Sequence, residues 1–433
     1  MIIKRDYYLN QLIDSKHNGL IKVITGIRRS GKSFLLFELF YNYLLNSNID
    51  SNHIIKFAFD SQDYLNLIDE DLLDINIKKR KVDPKKFNDY IKNKIKDKDI
   101  YYILLDEVQL LDNFEAVLNG YLRKDNLDVY VTGSNAKFLS KDIITEFRGR
   151  GWQIHINPLS FKEFKQVFEG SNDEAYAEYA VYGGLPKLFE FKKEADKVKY
   201  LNNIFEETYL KDIIEKNKVV NVTELGELLD FLSSSIGSLT NPTKLSNTFA
   251  SVKHVKIHSD TIKKYIEYFA DSFLISTPKR YDIIGKGYIN FPLKYYFSDM
   301  GLRNARLNFR ELELPRIMEN IVYNELVMRG YNVDVGVVEM YEQNAKGKSV
   351  LKKTEVDFVC NQADKRYYIQ VAYTIDSEDK IKQEQKSLLH INDAFKKIII
   401  VKDSIKPHYN NYGVYIIGLY DFLLNENILN FWY

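Results

Sequence analysis

The stretch "GIRRSGKS", residues 26–33, follows the apolar run "IKVIT" (21–25) and precedes "FLLFELFYNYLL" (34–45), whose apolar residues recur at helical spacing. It satisfies the pattern GxxxxGK[ST] without mismatch, through Gly26, Gly31, Lys32 and Ser33. Such a loop must bend tightly and bring backbone N–H groups against phosphate oxygens, an approach that glycine permits. Lys32 offers a mobile positive charge to the β and γ phosphates, and the Ser33 hydroxyl is a hard oxygen ligand suited to Mg2+. The helix that follows adds its positive end. Arg28, Arg29, Ser30 and Phe34 complete the candidate cofactor-binding set. The two arginines either touch phosphate or face solvent.

Four more runs read as strands: "IIKFAFD" (54–60), "IYYILLDE" (100–107), "LDVYVTGS" (127–134) and "WQIHI" (152–156). Helical segments separate most of them, which predicts an α/β fold with a parallel sheet covered on both faces. The strand in "YYILLDEVQLL" ends in two acids. Asp106 would hold Mg2+ with Ser33, and Glu107 would orient the attacking water. The alternative is an acidic pair that caps a buried strand. Ser134 and Asn135 would face the γ-phosphate from the next strand tip. Arg148 and Arg150 in "EFRGRGWQIHI" suit an arginine finger, which could reach into a neighbouring subunit of a homo-oligomer, or else are structural. No guanine-specifying NKxD motif stands in the expected place, so the motifs alone do not separate ATP from GTP.

At 433 residues the chain calls for two or three domains. Lys plus Arg number 61 against 60 Asp plus Glu, so any nucleic-acid surface must be local. The single cysteine, Cys360, excludes an intramolecular disulfide and a Cys-rich zinc site, and reads as core. His254 and His258 are four apart but lack a third ligand. "MIIKRDYYLN" meets charge at residue 4, and no apolar run approaches the roughly 20 residues that span a bilayer. A soluble, cytoplasmic protein without a membrane partner is expected. Residues 61–99 turn from acidic to basic and read as a solvated helical excursion rather than a nucleic-acid contact.

The runs "GIRRSGKSFLL", "LLDEVQ", "VTGSNAKFLS", "FRGRGWQIHINPLSFKEF" and "YGGLP" resemble the bacterial and archaeal ATPases of the AAA+ superfamily. The resemblance implies an ASCE-type P-loop NTPase core that uses ATP and Mg2+, with the Ser134 strand lying between the P-loop strand and the Asp106 strand. It also implies that Arg5 and Tyr7 lie near the adenine and that Gly183 to Pro186 belong to a lid.

Beyond the core, "TKLSNTFASV", "HSDTIKKYIEYFADSFLI" and a hairpin-like run suggest a winged helix, with Ser259 and Asp260 capping a recognition helix. Lys263, Lys264, Lys279 and Arg280 would then meet DNA. The last part resembles the PD-(D/E)xK nuclease fold, which implies a site at Glu319, Asp357 and Gln370. Ala372 stands where the catalytic lysine belongs, so the site reads as degenerate, with Lys380 or Lys382 as remote substitutes. The expected domains are 1–205 (ATPase, with a helical lid at about 160–205), 206–295 (winged-helix-like) and 296–433 (nuclease-like). The expected function is a Mg-dependent ATPase acting on or with DNA. The alternatives are a slow nucleotide switch that binds a protein and an ATP-dependent nuclease.

Overall fold

The computed structural model describes residues 2–78, 80–133, 147, 149–253, 256–343, 349–375 and 377–430. Five strands form the N-terminal sheet: β1 (Ile21–Thr25), β2 (Ile54–Ala58), β3 (Tyr101–Asp106), β4 (Leu127–Thr132) and β5 (Gly151–His155). Their order is β2-β3-β4-β1-β5 and every pairing is parallel. β4 therefore separates the P-loop strand from the Asp106 strand, as the resemblance implies.

β1 to β4 are buried along nearly their whole length because both faces of the sheet are covered, whereas β5, at the edge, is partly exposed. Val23, Ile103, Leu105 and Val129 face one cluster with Phe87 and Phe114. Ile24, Leu104, Tyr130 and Ile154 face another, with Leu36 and Phe40 of the helical run after the P-loop. That run is α-helical over Lys32–Phe34, widens to a π-helix over Leu35–Phe40 and resumes over Tyr41–Asn46. Residues 61–99 hold three short helices whose charges pair among themselves, Arg80 with Glu70 (2.5 Å) and Asp74 (3.1 Å), and Lys86 with Glu70 (3.4 Å).

Eight of the ten further strands among the described residues form the second sheet. They are β7 (Arg280–Asp282), β8 (Gly287–Ile289), β10 (Asn332–Gln343), β11 (Ser349–Gln362), β12 (Lys365–Ala372), β13 (Lys396–Val401), β14 (His408–Tyr409) and β15 (Tyr415–Gly418). Their order is β14-β15-β13-β12-β11-β10-β7-β8. The remaining two, β6 (Ile275–Ser276) and β9 (Tyr296–Phe297), pair with each other.

The hairpin read as a wing is thus the edge of this sheet, because β7 pairs in parallel with β10. Arg280 is consequently buried rather than presented to a partner, and its Nη1 donates to the Pro292 carbonyl at 3.4 Å. The expected recognition helix spans Ser259–Asp271 and buries Ile262, Tyr265, Ile266 and Phe269. Its N-cap is His258, so Ser259 and Asp260 are its first residues and not its cap. Asp260 instead pairs with Lys263 at 3.0 Å.

A single apolar cluster runs from Ile27 and Phe161 through Leu228, Ile262 and Phe297 to Ile398 and Leu429. It joins the helices that follow β5, the helical middle and one face of the second sheet. Cys360 is buried in it, and burial raises its thiol pKa well above the ordinary range, so it is core as expected. Among the described residues no helix is long and apolar enough to cross a membrane.

Candidate nucleotide-binding site

In a parallel sheet the C-terminal ends of all strands emerge at one rim, and here β1, β3 and β4 deliver Gly26, Asp106 and Thr132 to the same place. Gly26 has φ 138°, and a Cβ there would collide with the Ile156 carbonyl after β5. Gly31 has φ 95° and caps the helix that starts at Lys32. At these two positions the tight turn requires glycine.

Lys32 is buried, and its Nζ donates only to the loop's own carbonyls, Gly26 at 3.1 Å and Ile27 at 2.9 Å. Burial lowers its pKa to about 8, opposed by the negative charges of Glu107 and Asp106. The ammonium is held above an acidic floor with neutral oxygens as partners, a position that a phosphate oxygen could take over.

Asp106 is buried, and burial raises its pKa while hydrogen bonds from Thr132 and Ser33 lower it. Glu107 adopts a left-handed backbone, φ 53°, where a non-glycine residue stores on the order of 1 kcal/mol of strain. This bend turns its side chain off the strand line, and its Oε2 accepts from Gln109 Nε2. Gln109 is itself buried, with its Oε1 unpartnered among the described residues.

Ser33, Lys32 and Glu107 line a cleft of about 1170 Å³ together with Asp60, Phe34 and Pro186. The glycine cradle, the inward ammonium and the hydroxyl–carboxylate pair fit a triphosphate with a hard divalent ion, which Ser33 and Asp106 would hold.

Arg5 ties this rim together. Its guanidinium donates to Ser30 O (2.8 Å), Asn157 O (2.8 Å) and Glu163 Oε1 (2.9 Å). It lines the cleft, whereas Tyr7 does not and stands edge-on to Tyr8. Gly183 and Gly184 sit against Asp299, whose Oδ2 accepts from Gly184 N at 2.7 Å, so the segment leading to Pro186 is anchored from the C-terminal half. Burial pushes Asp299 up to about 6, against those N–H donors.

Arg28 and Arg29 both line the cleft but already have partners. Arg28 Nε pairs with Asp212 at 3.2 Å, and its carbonyl accepts from Tyr209 at 2.6 Å. Arg29 lies over the Tyr200 ring, 5.5 Å from its centroid.

Arg150 is exposed and donates to Asn119 at 3.4 Å, so within its own chain it does not reach the cleft. Ser134, Asn135, Arg148 and His254 lie outside the described residues. Sequence reading missed Asp60, Thr132 and Gln109. The signal for Asp60 was present, since "FAFD" also ends a strand in an acid. In the C-terminal sheet, Glu319, Asp357 and Gln370 do come together. Asp357 N donates to Gln370 Oε1 at 3.4 Å, and Lys294 joins Glu319 to Asp357. Lys380 pairs with Glu384 at 2.9 Å, and Lys382 with Asp379 at 3.6 Å.

The sheet order, the glycine cradle and the acid pair define a P-loop nucleotide-binding domain. Residues 18–165 match the family described as AAA domain, and residues 173–313 match a domain of unknown function. An uncharacterized protein of Haemophilus influenzae is 35% identical over 429 residues, covering 98% of this chain and 99% of its own. An uncharacterized protein of Methanocaldococcus jannaschii is 28% identical over 419 residues, covering 93% of this chain and 86% of its own. The chain belongs to the same family as the Haemophilus protein, and its N-terminal part is an AAA domain. The ORC1 protein of Aeropyrum pernix, solved in complex with DNA, aligns with 71% of this chain and 93% of its own. The alignment has 10% identity and a TM-score of 0.30.

Proposed function

We propose that the protein binds ATP with Mg2+ in the cleft and hydrolyses it. The observation that carries the reading is the convergence of Lys32, Ser33, Asp106 and Glu107 at one rim of one parallel sheet. Lys32 would leave the Gly26 and Ile27 carbonyls for phosphate oxygens. Glu107, on its bent backbone, would accept the proton of the water that attacks the γ-phosphate. Mg2+, when bound, would neutralise phosphate charge. The test is phosphate release from ATP by the full chain, with and without single- or double-stranded DNA. Release dependent on Lys32 is expected, and its absence under every condition would contradict the reading.

DNA as a partner rests on Lys263, Lys264 and Lys279, because Arg280 is buried. The helix Ser259–Asp271 carries these first two lysines against the acids Asp260, Glu267 and Asp271, a net charge of −1. The nucleotide-switch reading draws support from a specific contact. Arg28 and Arg29 are held by Asp212 and Tyr200, so a phosphate that recruits either arginine would compete with the helical segment 194–217. Stimulation of hydrolysis by DNA would favour the first partner. A DNA-indifferent rate with slow turnover would favour the switch.

Lys32 also sets a pH dependence. The free protein loses the Lys32 proton above about 8, while a bound triphosphate would keep the ammonium charged to higher pH. Binding therefore takes up a proton above pH 8, and ATP affinity is expected to fall by about tenfold per pH unit there. Calorimetry in buffers of different ionisation enthalpy measures both effects.

A further inference from the structure

Lys294 lies in no motif, yet it is only 5% exposed and its Nζ stands among three carboxylates. It contacts Glu319 Oε1 at 2.8 Å, Glu355 Oε1 at 2.5 Å and Asp357 Oδ1 at 3.6 Å. The acids come from two elements: Glu319 from the helix Leu314–Met328, and Glu355 and Asp357 from β11. The lysine is held by its backbone. Leu293 exchanges hydrogen bonds with Thr240 (2.7 and 3.0 Å), Tyr295 O accepts from Gly237 N at 3.1 Å, and Phe297 pairs with Ile275. Lys294 therefore lies in a short segment tied on one side by the Thr240–Leu293 bridge and on the other by β9.

A PD-(D/E)xK-like reading of this sheet expects a divalent ion between Glu319 and Asp357. The residues do not fit one. The ammonium occupies the space between the acids, and Tyr296 OH takes up Glu319 Oε1 at 2.6 Å. Gly237 covers Glu319 so closely that a Cβ there would lie 3.2 Å from its carboxylate. Among the described residues, three ligand atoms of His, Cys, Asp or Glu gather within 4.8 Å of one another only at His53, Asp97 and Asp99. We infer that Lys294 is a resident cation that replaces the metal of this site, so that the cluster is a metal-independent joint between the helical middle of the chain and the C-terminal sheet.

Charge and burial agree with this. Buried carboxylates without a counter-ion are costly, and Lys294 supplies that counter-ion to Glu319, Glu355 and Asp357. Glu319 and Glu355 meet the Lys294 ammonium directly, at 2.8 and 2.5 Å. The inference is independent of the nucleotide reading.

The test is thermal unfolding of the full chain without nucleotide, titrated with Mn2+ alone, for the wild type and Asp357→Asn. No Mn2+-dependent rise that Asp357→Asn removes is expected; such a rise would overturn the proposal. Lys294→Met is expected to lower the unfolding midpoint by on the order of 10 °C, since it strands buried acids. Adding Glu319→Gln and Glu355→Gln to it should recover part of that loss. Wild-type stability in Lys294→Met, or no recovery in the triple variant, would show that Lys294 does not neutralise the cluster. Mg2+-dependent cleavage of plasmid DNA abolished by Asp357→Asn would overturn it as well.

Discussion

Lys32→Ala is expected to lower ATP affinity by roughly 10²–10³-fold, measured by titration of a fluorescent ATP analogue or by calorimetry. The size follows from where the ammonium sits. It is buried, and its Nζ donates to neutral loop carbonyls at 3.1 and 2.9 Å, whereas Arg28 is already paired with Asp212 and Arg29 lies over Tyr200. A triphosphate placed there without it would meet Asp106, Glu107 and Asp60 unopposed. Removing one member of a buried charged contact costs about 3–5 kcal/mol, and the lower part of that interval, about 3–4 kcal/mol, converts to the stated range. Lys32→Arg is not conservative here, because the longer planar head would have to displace the Gly26 and Ile27 carbonyls. Loss of affinity of less than threefold in Lys32→Ala would mean that the nucleotide does not use this loop.

Glu107→Gln should leave ATP binding within about threefold of the wild type and lower steady-state phosphate release by roughly 10²–10⁴-fold, the usual contribution of a positioned general base. The amide matches the carboxylate in shape and can still meet Gln109, so the bent backbone at φ 53° is retained. What is lost is an acceptor for the water's proton. The contrast with Lys32→Ala is the informative part, since one substitution acts on affinity and the other on turnover. A rate unchanged in Glu107→Gln would remove the residue from the chemistry even if binding at the loop were intact.

Much of the nucleotide site was legible because its parts are local. Gly26 to Ser33 are contiguous, and Asp106 and Glu107 close a run of strand residues buried on both faces. A strand so buried reads as a largely apolar run, as in "YYILL" of β3, whereas the partly exposed edge strand β5 alternates in "WQIHI". Asp60 and Thr132 reach the same rim only because the sheet is parallel, and the order β2-β3-β4-β1-β5 is a long-range property. The π-helical widening at Leu35–Phe40 has no sequence sign, because α and π turns bury the same apolar residues.

In the C-terminal half the elements were readable but their partners were not. Arg280 looked like a wing cation, and only the pairing of β7 with β10 makes it interior. Lys294 lies 25 residues before Glu319 and 63 before Asp357 in the chain, so no spacing rule could have joined them. The misread cap at Ser259 is a small case of the same kind. Two good capping residues stand in sequence, yet the N-cap falls one position earlier, on His258, and Ser259 and Asp260 become the first helical residues.

The most direct measurement is a structure of the full chain with a non-hydrolysable ATP analogue and Mg2+. The account predicts the β and γ phosphates in the loop Gly26 to Ser33, with Lys32 Nζ transferred from the Gly26 and Ile27 carbonyls to phosphate oxygens and Glu107 within one water of the γ-phosphate. An analogue bound elsewhere, with Lys32 still on its loop carbonyls, would contradict it.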